Sequence, residues 1–325
     1  MEEFRNYEIT LPELVYDIVD YFRLGNRIKQ PAEKTVWDYC QRSRFNAQIK
    51  DRMVQPDTVH VICENLVRKG LLTCVHSGTS LAGMDSNYMF LPTDEMLFLS
   101  KDPKLVFRLN CMAYGFRYIY LAYRDYVLPV VVKKDGKLSM GTCFRFYNGI
   151  VTAKHCIEAE QVFISGQNAE KLYQCPVIIS NDKEIDLAYI DLGITTPLSS
   201  GEAKVLDEVL VMGYPKIPMF FDFCAGERAA ISSIPTRGAV ASIAEQFITR
   251  KVGPLMLVTA RIRGGNSGGP IIDANGAVVG VAFSEPTSEG DYDEMGYGVA
   301  YPIEVLQQLL QDATTIKVNF VDKVK

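Results

Sequence analysis

No apolar run in the 325-residue chain approaches the roughly 18 residues that a membrane-spanning helix needs. The amino terminus, MEEFRNYEIT, begins acidic and lacks the apolar core of a secretory signal. These absences predict a cytoplasmic protein without membrane contact. A basic excess is missing too: 34 Lys and Arg stand against 39 Asp and Glu, a net charge of −5, so no global field draws the chain to nucleic acid. None of the eight cysteines (Cys40, Cys63, Cys74, Cys111, Cys143, Cys156, Cys175 and Cys224) forms a CxxC pair, which argues against a zinc ribbon or a thioredoxin-type motif. In a reducing compartment most of them are expected to be small, buried, apolar residues. There is no internal repeat of fixed period and no low-complexity tract. What remains is ordinary for a globular protein: 48% hydrophobic residues, 22% charged residues and a length that suggests about two domains.

The first hundred residues read as helical. Thr10 and Glu13 have capping-box spacing ahead of Leu14, Val15, Ile18, Tyr21 and Phe22, and Gly25 is the expected stop. A second helix is expected from Pro31 to Ser43. A third opens at Asp57 as N-cap, carries Val59, Ile62, Cys63, Leu66 and Val67 at helical spacing, and ends at Gly70. Two strand-like runs follow, LLTCVHS and NYMFLP, joined by GTSLAGMDS. Three helices and then a hairpin, with the phrase VHVICENLVRKGLLTCV, resemble a winged helix-turn-helix domain over about residues 8 to 95. The expected division is a mainly α winged-helix-like domain at 1–105, a connecting segment at 106–122 and a second domain at 123–325. The stretch from about 96 to 122 reads equally as a connecting helix or as a first strand.

The second half has strand grammar. Asp135-Gly136, Asn148-Gly149 and Asn275-Gly276 each separate two β-rich runs and signal hairpin turns. Many short strands with such turns imply an antiparallel sandwich or barrel. Within this half, RIRGGNSGGP places Ser267 among glycines. That is either a polar turn or a nucleophile, and a serine nucleophile needs a base and oxyanion donors. Only three histidines exist. His60 lies on the third helix and His76 in the hairpin, both read as structural; His155 follows a β-rich run in GIVTAKHCI.

The ordered phrases GTCF, AKHC, EIDLAYIDL, VLVMGYP, RIRGGNSGGP and GAVVGVAFS resemble the trypsin/chymotrypsin serine-protease superfamily over about residues 125 to 312, and its HtrA-like branch above all. The resemblance implies an all-β double antiparallel barrel of trypsin-like type, two six-stranded barrels with the catalytic groups between them. It implies Ser267 as nucleophile, His155 as general base and Asp186 as the carboxylate that orients the imidazole. The amides of Gly265 and Ser267 would form the oxyanion hole, and neither a metal nor an organic cofactor is required. Asp182, Glu184 and Asp191 compete for the acidic role, but Asp186 opens the apolar run, the position that matches the family.

Three departures from the family matter. Asn266 stands where digestive members have an aspartate that pairs with a freed N-terminus, so no such activation is expected. No PDZ domain is expected after a C-terminal helix at about 302 to 312, which leaves control to other parts of the chain, the N-terminal half among them. Cys156 follows the histidine where secreted relatives carry a bridged cysteine, but Cys143 is offset from the usual partner position and the compartment is reducing. For specificity, the resemblance places Arg261 at the floor of the substrate pocket, with Ala282, Phe283, Ser284 and Gly298 around it. Arg261 would favour an acidic residue before the cut unless Glu285 neutralises it, and a surface role for Arg261 is the equal alternative.

A winged helix commonly binds DNA through its third helix and wing. The candidate contacts for DNA or a protein partner are Lys50, Arg52, Asn65, Arg68 and Lys69. Residues 1–105 hold 13 Lys and Arg against 15 Asp and Glu, without the usual basic footprint. Three functions therefore stay open. The first is an intracellular serine endopeptidase acting on protein or peptide, whose N-terminal domain recruits a protein partner or senses an effector. The second is a DNA-binding regulator coupled to a protease. The third is a catalytically silent protease fold used for binding.

Overall fold

Helical spacing of apolar residues builds the first part of the chain. In a computed structural model, the described residues are 6–24, 34–49, 53–90, 101–196, 198–216, 233–244, 254–283, 296–311 and 313–324. They fall into two compact units, residues 1–119 and 120–325.

The first unit holds α1 (Tyr7–Thr10), α2 (Leu14–Tyr21), α3 (Val36–Arg42), α4 (Pro56–Arg68), β1 (Thr73–His76), β2 (Asn87–Met89) and α5 (Pro103–Tyr114). Leu14, Ile18, Val36, Tyr39, Ile62, Leu66 and Tyr88 share one buried core. β1 and β2 pair antiparallel, Cys74 opposite Tyr88, as the two strand-like runs predict. Three helix starts differ from expectation. Thr10 belongs to α1, where its hydroxyl bonds the Asn6 carbonyl, so it does not cap α2, which starts after Glu13 beyond Pro12. α3 starts at Val36, where the Thr35 side chain accepts from the Asp38 amide; Pro31 and Gly25 lie outside the described residues. α4 starts one residue before Asp57, because Pro56 occupies the first helical position, where a missing N–H costs nothing. The stretch expected to connect the domains is helical: α5, then α6 (Phe116–Tyr123), which spans the division between the units. α5 is more than a connector, since Leu109 and Ala113 join the first unit's core.

The second unit is built from hairpins. β3 (Val127–Lys134) and β4 (Lys137–Phe146) meet at Asp135 and Gly136, both at positive φ (51° and 70°), the two-residue turn that matches strand twist. The next turn lies one residue earlier than expected, at Tyr147-Asn148, because Phe146 pairs with Gly149 at the start of β5 (Gly149–Thr152). Gly149 is needed in the strand: a Cβ there would lie 2.0 Å from the Ile190 carbonyl oxygen. β6 (Gln161–Ile164), α7 (Ala169–Gln174), β7 (Val177–Ser180) and β8 (Ala188–Asp191) follow. Then come β9 (Glu208–Gly213), β10 (Ile234–Ala244), β11 (Leu255–Val258), β12 (Pro270–Asp273), β13 (Val278–Phe283), β14 (Gly298–Pro302), α8 (Ile303–Leu309) and β15 (Ala313–Ile316). Gly276, at φ 79°, turns the chain from β12 to β13.

Two sheets result. One is a closed six-stranded barrel in the order β10-β11-β14-β13-β12-β9. The other is not the second six-stranded barrel of the family pattern but a seven-stranded antiparallel sheet, β15-β7-β8-β5-β4-β3-β6. The extra strand comes from the C-terminal end: β15 pairs with β7 at one edge, and Phe320 bridges to Val162 of β6 at the other. Each sheet has its own buried core.

One turn is strained. Leu206 sits in the Lys204–Asp207 turn at φ 76° while 81% exposed, so little burial offsets a left-handed backbone. That conformation costs a branched residue about 1–2 kcal/mol and costs glycine almost nothing. Leu206→Gly is therefore expected to stabilise the protein by up to about 1 kcal/mol, read as a higher denaturant midpoint. A lower midpoint would mean that the Leu206 side chain is gripped.

Candidate active site

β5 delivers one half of the site and β8 the other. They pair with Thr152 opposite Ala188, so the 3-10 turn Lys154–Cys156 after β5 meets the loop before β8. There His155 Nδ1 lies 2.5 Å from Asp186 Oδ2, and the His155 amide donates to Oδ1 at 2.8 Å. The carboxylate thus grips both ring and backbone of one residue and fixes the Nδ1–H tautomer, leaving Nε2 as an acceptor. Burial disfavours the charged imidazole, but hydrogen bonds to Asp186 and the Cys156 thiol outweigh it and hold the His155 pKa above its ordinary 6.5. Asp186 is itself anchored from the barrel, its amide donating to the buried Tyr301 hydroxyl of β14 at 3.2 Å. The competing acids serve turns: Asp182 accepts from the Glu184 amide and Asp191 from the Gly193 amide.

Ser267 is 3% exposed and sits in a tightly held loop. Its carbonyl accepts from the Thr142 amide at 2.9 Å, and the amides of Gly268 and Ala282 tie the loop to β13. Gly268 has φ 83°, and a Cβ there would lie 2.6 Å from the Ala153 amide, next to the His155 turn. Only glycine allows that approach. No hydrogen bond joins the Ser267 hydroxyl to His155; in serine-nucleophile sites such bonds commonly tighten only when substrate binds.

The amides around Ser267 divide into two sets. Those of Asn266, Gly268 and Gly269 donate to the carbonyls of Arg263, Ala282 and Asn266. Those of Gly265 and Ser267 donate to no acceptor among the described residues. Two unspent donors two residues apart are what an oxyanion requires. Gly265 has φ 99°, and a Cβ there would lie 2.3 Å from the Tyr214 carbonyl oxygen. Asn266 is buried, and its Oδ1 has no partner among the described residues. A carboxylate in that place would cost far more than a neutral amide.

The residues expected around the substrate pocket are placed differently from expectation. Arg261 is exposed, and Ile262 is buried instead. A Cβ on Gly298 would lie 2.6 Å from Ile262 Cγ1, so Ile262 fills the space beside Gly298. The charged–apolar–charged order of Arg261-Ile262-Arg263 is the sequence signal that points to Ile262 as the inward residue. Ala282 is buried on β13, and the Phe283 ring packs 4.9 Å from that of Tyr301. Ser284 and Glu285 lie outside the described residues.

Of the N-terminal candidates, Lys50 and Arg52 also lie outside the described residues. Asn65 is spent internally: its side chain donates to the Ala113 carbonyl of α5 at 2.8 Å and accepts from Arg68 at 3.2 Å. Arg68 and Lys69 are exposed at the end of α4. His60 packs within the unit, its Nδ1 2.8 Å from the Tyr88 hydroxyl. Cys143 and Cys156 are both buried and unbridged.

Comparison with known proteins fits this geometry. Residues 141–281 match the trypsin-like peptidase domain, a span that contains His155, Asp186 and Ser267. The magnetosome formation protease MamE of Paramagnetospirillum magneticum is 28% identical over 50% of this chain and 22% of its own length. The chloroplastic Protease Do-like 2 of Arabidopsis thaliana is 28% identical over 58% of this chain and 30% of its own. The serine endoprotease DegS of Haemophilus influenzae is 27% identical over 59% of this chain and 52% of its own. The chain thus spans about a fifth to about half the length of these relatives. Within its second unit, residues 141–281 are thus similar to the trypsin-like peptidase domain and to these curated proteases.

Proposed function

We propose that the second unit is a serine endopeptidase. Ser267 attacks the scissile carbonyl, and His155 takes its proton at Nε2 and passes it to the leaving amine. Asp186 holds the tautomer and stabilises the imidazolium, while the Gly265 and Ser267 amides receive the oxyanion. The observation that carries this reading is the coincidence of a carboxylate-clamped His155 with two unspent amides at the buried serine. The test is digestion of an unfolded protein substrate, with mass spectrometry of the new termini, beside a Ser267→Ala control. New termini from the wild type alone support the reading. Their absence from a folded wild type leaves a protease fold that only binds.

Ile262 gives this reading a specificity. An apolar side chain beside Gly298 favours a small apolar residue before the cut. Ile262→Ala is expected to raise kcat/KM for a larger apolar residue about tenfold, within the range of a few lost methylenes. Arg261→Ala is expected to leave the preference unchanged. An acidic preference that disappears in Arg261→Ala would contradict this pocket.

The first unit is read as a winged-helix-like domain that recruits a protein or senses an effector. Its α4 and β1 expose Val61 (56%) and Val75 (50%), and Asn65 is turned inward, which supports protein over DNA. Exposed Arg68 and Lys69 favour the DNA reading. A DNA mobility shift that weakens with salt and is lost in a variant with Arg68 and Lys69 replaced by alanine would establish it. A cytosolic location is supported by the cysteines, all seven within the described residues being unbridged.

A further inference from the structure

We propose that Thr142 is a positioning residue of the oxyanion hole, a role that rests on the serine-peptidase reading above. Thr142 lies on β4 of the seven-stranded sheet, fully buried, and every polar atom it carries is committed across to the active-site loop or its supports. Its hydroxyl donates to the Gly265 carbonyl at 2.6 Å and accepts from the Tyr214 amide at 2.9 Å. Its amide donates to the Ser267 carbonyl at 2.9 Å. Its own carbonyl accepts from the Thr152 hydroxyl of β5, three residues before His155, at 2.8 Å. One side chain thus staples the Gly265 peptide to the end of β9, while the same residue's backbone holds Ser267 and faces the histidine strand.

The consequence is orientational. The Gly265 carbonyl is pinned by the Thr142 hydroxyl, and the Gly264 carbonyl by the Lys216 amide at 2.7 Å. The Gly264 carbonyl shares a peptide with the Gly265 N–H and so points it, while the Thr142 hydroxyl fixes the following peptide; with the peptides on both sides of Gly265 held, its amide cannot turn away and stays unspent. Glycine otherwise rotates freely, and a hole donor that turns away contributes nothing to the transition state. The neighbouring residues are shaped around the staple. A Cβ on Gly213 would lie 3.0 Å from the Thr142 hydroxyl oxygen, and one on Gly269 would lie 3.2 Å from the Thr142 methyl. Among the described residues the hydroxyl bonds the Gly265 carbonyl and the Tyr214 amide, so it acts on the hole through the peptides that it holds.

The hole is filled by the oxyanion and not by the ground-state substrate, so the loss must appear in kcat and spare KM. Thr142→Val keeps the shape and removes the hydroxyl. It is expected to lower kcat about 10- to 100-fold, toward the loss of one hole donor, with KM within about twofold. Thr142→Ser keeps the hydroxyl and is expected to stay within a few-fold of wild-type kcat. A peptide aldehyde, which forms a tetrahedral adduct, should weaken with the valine variant in step with kcat, while a product peptide should not. Should the valine variant fail to fold, the comparison of Thr142→Ser with Thr142→Ala decides: kcat retained in serine and lost in alanine supports the role. Unchanged kcat in the valine variant, or equal losses in serine and alanine, overturns it. A folded wild type that neither cleaves peptide nor reacts with a fluorophosphonate overturns the peptidase reading itself, and this role with it.

Discussion

Ser267→Ala is expected to lower kcat for peptide hydrolysis by about a millionfold, with the unfolding midpoint nearly unchanged. The size follows from the division of labour. Without the hydroxyl there is no acyl-enzyme, and His155 has no proton to accept. What survives is slow attack by water helped by the oxyanion donors. The fold should hold because the loop is secured by its backbone, through Thr142, Ala282 and the β12 start, and not by the serine side chain. Steady-state hydrolysis of a cleaved peptide, beside a denaturant melt, measures both. A loss of only a few-fold would place the nucleophile elsewhere.

Asp186→Asn carries the second largest effect, a fall in kcat of about 10⁴ with geometry retained. The asparagine amide donates where the carboxylate accepted. It turns the imidazole to the Nε2–H tautomer, which cannot receive the serine proton. The pH profile supplies an independent check. Burial opposes charge on His155, but the hydrogen bonds to Asp186 and Cys156 prevail and raise its pKa above 6.5. Only neutral His155 is a base, so kcat/KM of the wild type should rise with pH along a limb lying above 6.5, and in Asp186→Asn that limb should move down. Stability runs the other way. The His155–Asp186 contribution is fully present below about pH 6.5 and is lost as pH rises through the raised pKa, because the folded state then no longer binds the extra proton. A wild-type limb at or below 6.5 would contradict the raised value.

Much of the site is legible in the sequence because its chemistry needs particular residues in order. His155 after a strand and Asp186 before one are brought together by the pairing of β5 with β8, and Ser267 stands between glycines in a loop held to β4 through Thr142. The residues that support them are less legible, because their roles depend on contacts between the sheets. Tyr301 holds Asp186 from β14, and Thr142 holds Gly265 from β4, yet each reads locally as an ordinary strand residue. Arg261 stands out by its charge, but it is exposed, and it is Ile262 that is buried beside Gly298. The turn at Tyr147-Asn148 was misplaced by one residue because Gly149 serves close strand packing and not the turn. β15 was invisible as a sheet member: ATTI is short and polar, and it pairs with β7, more than 130 residues earlier in the chain. In the first unit, Thr10 has the right spacing for a cap, but Pro12 separates its turn from α2.

The most direct measurement is the mass of the protein after reaction with a fluorophosphonate, with the adduct mapped by peptide sequencing, for wild type and His155→Ala. The account predicts one adduct, on Ser267, formed by the wild type and suppressed in the histidine variant, because the hydroxyl reacts only when a base takes its proton. An adduct on another residue, or an equal yield in both proteins, would contradict an assembled triad at Ser267.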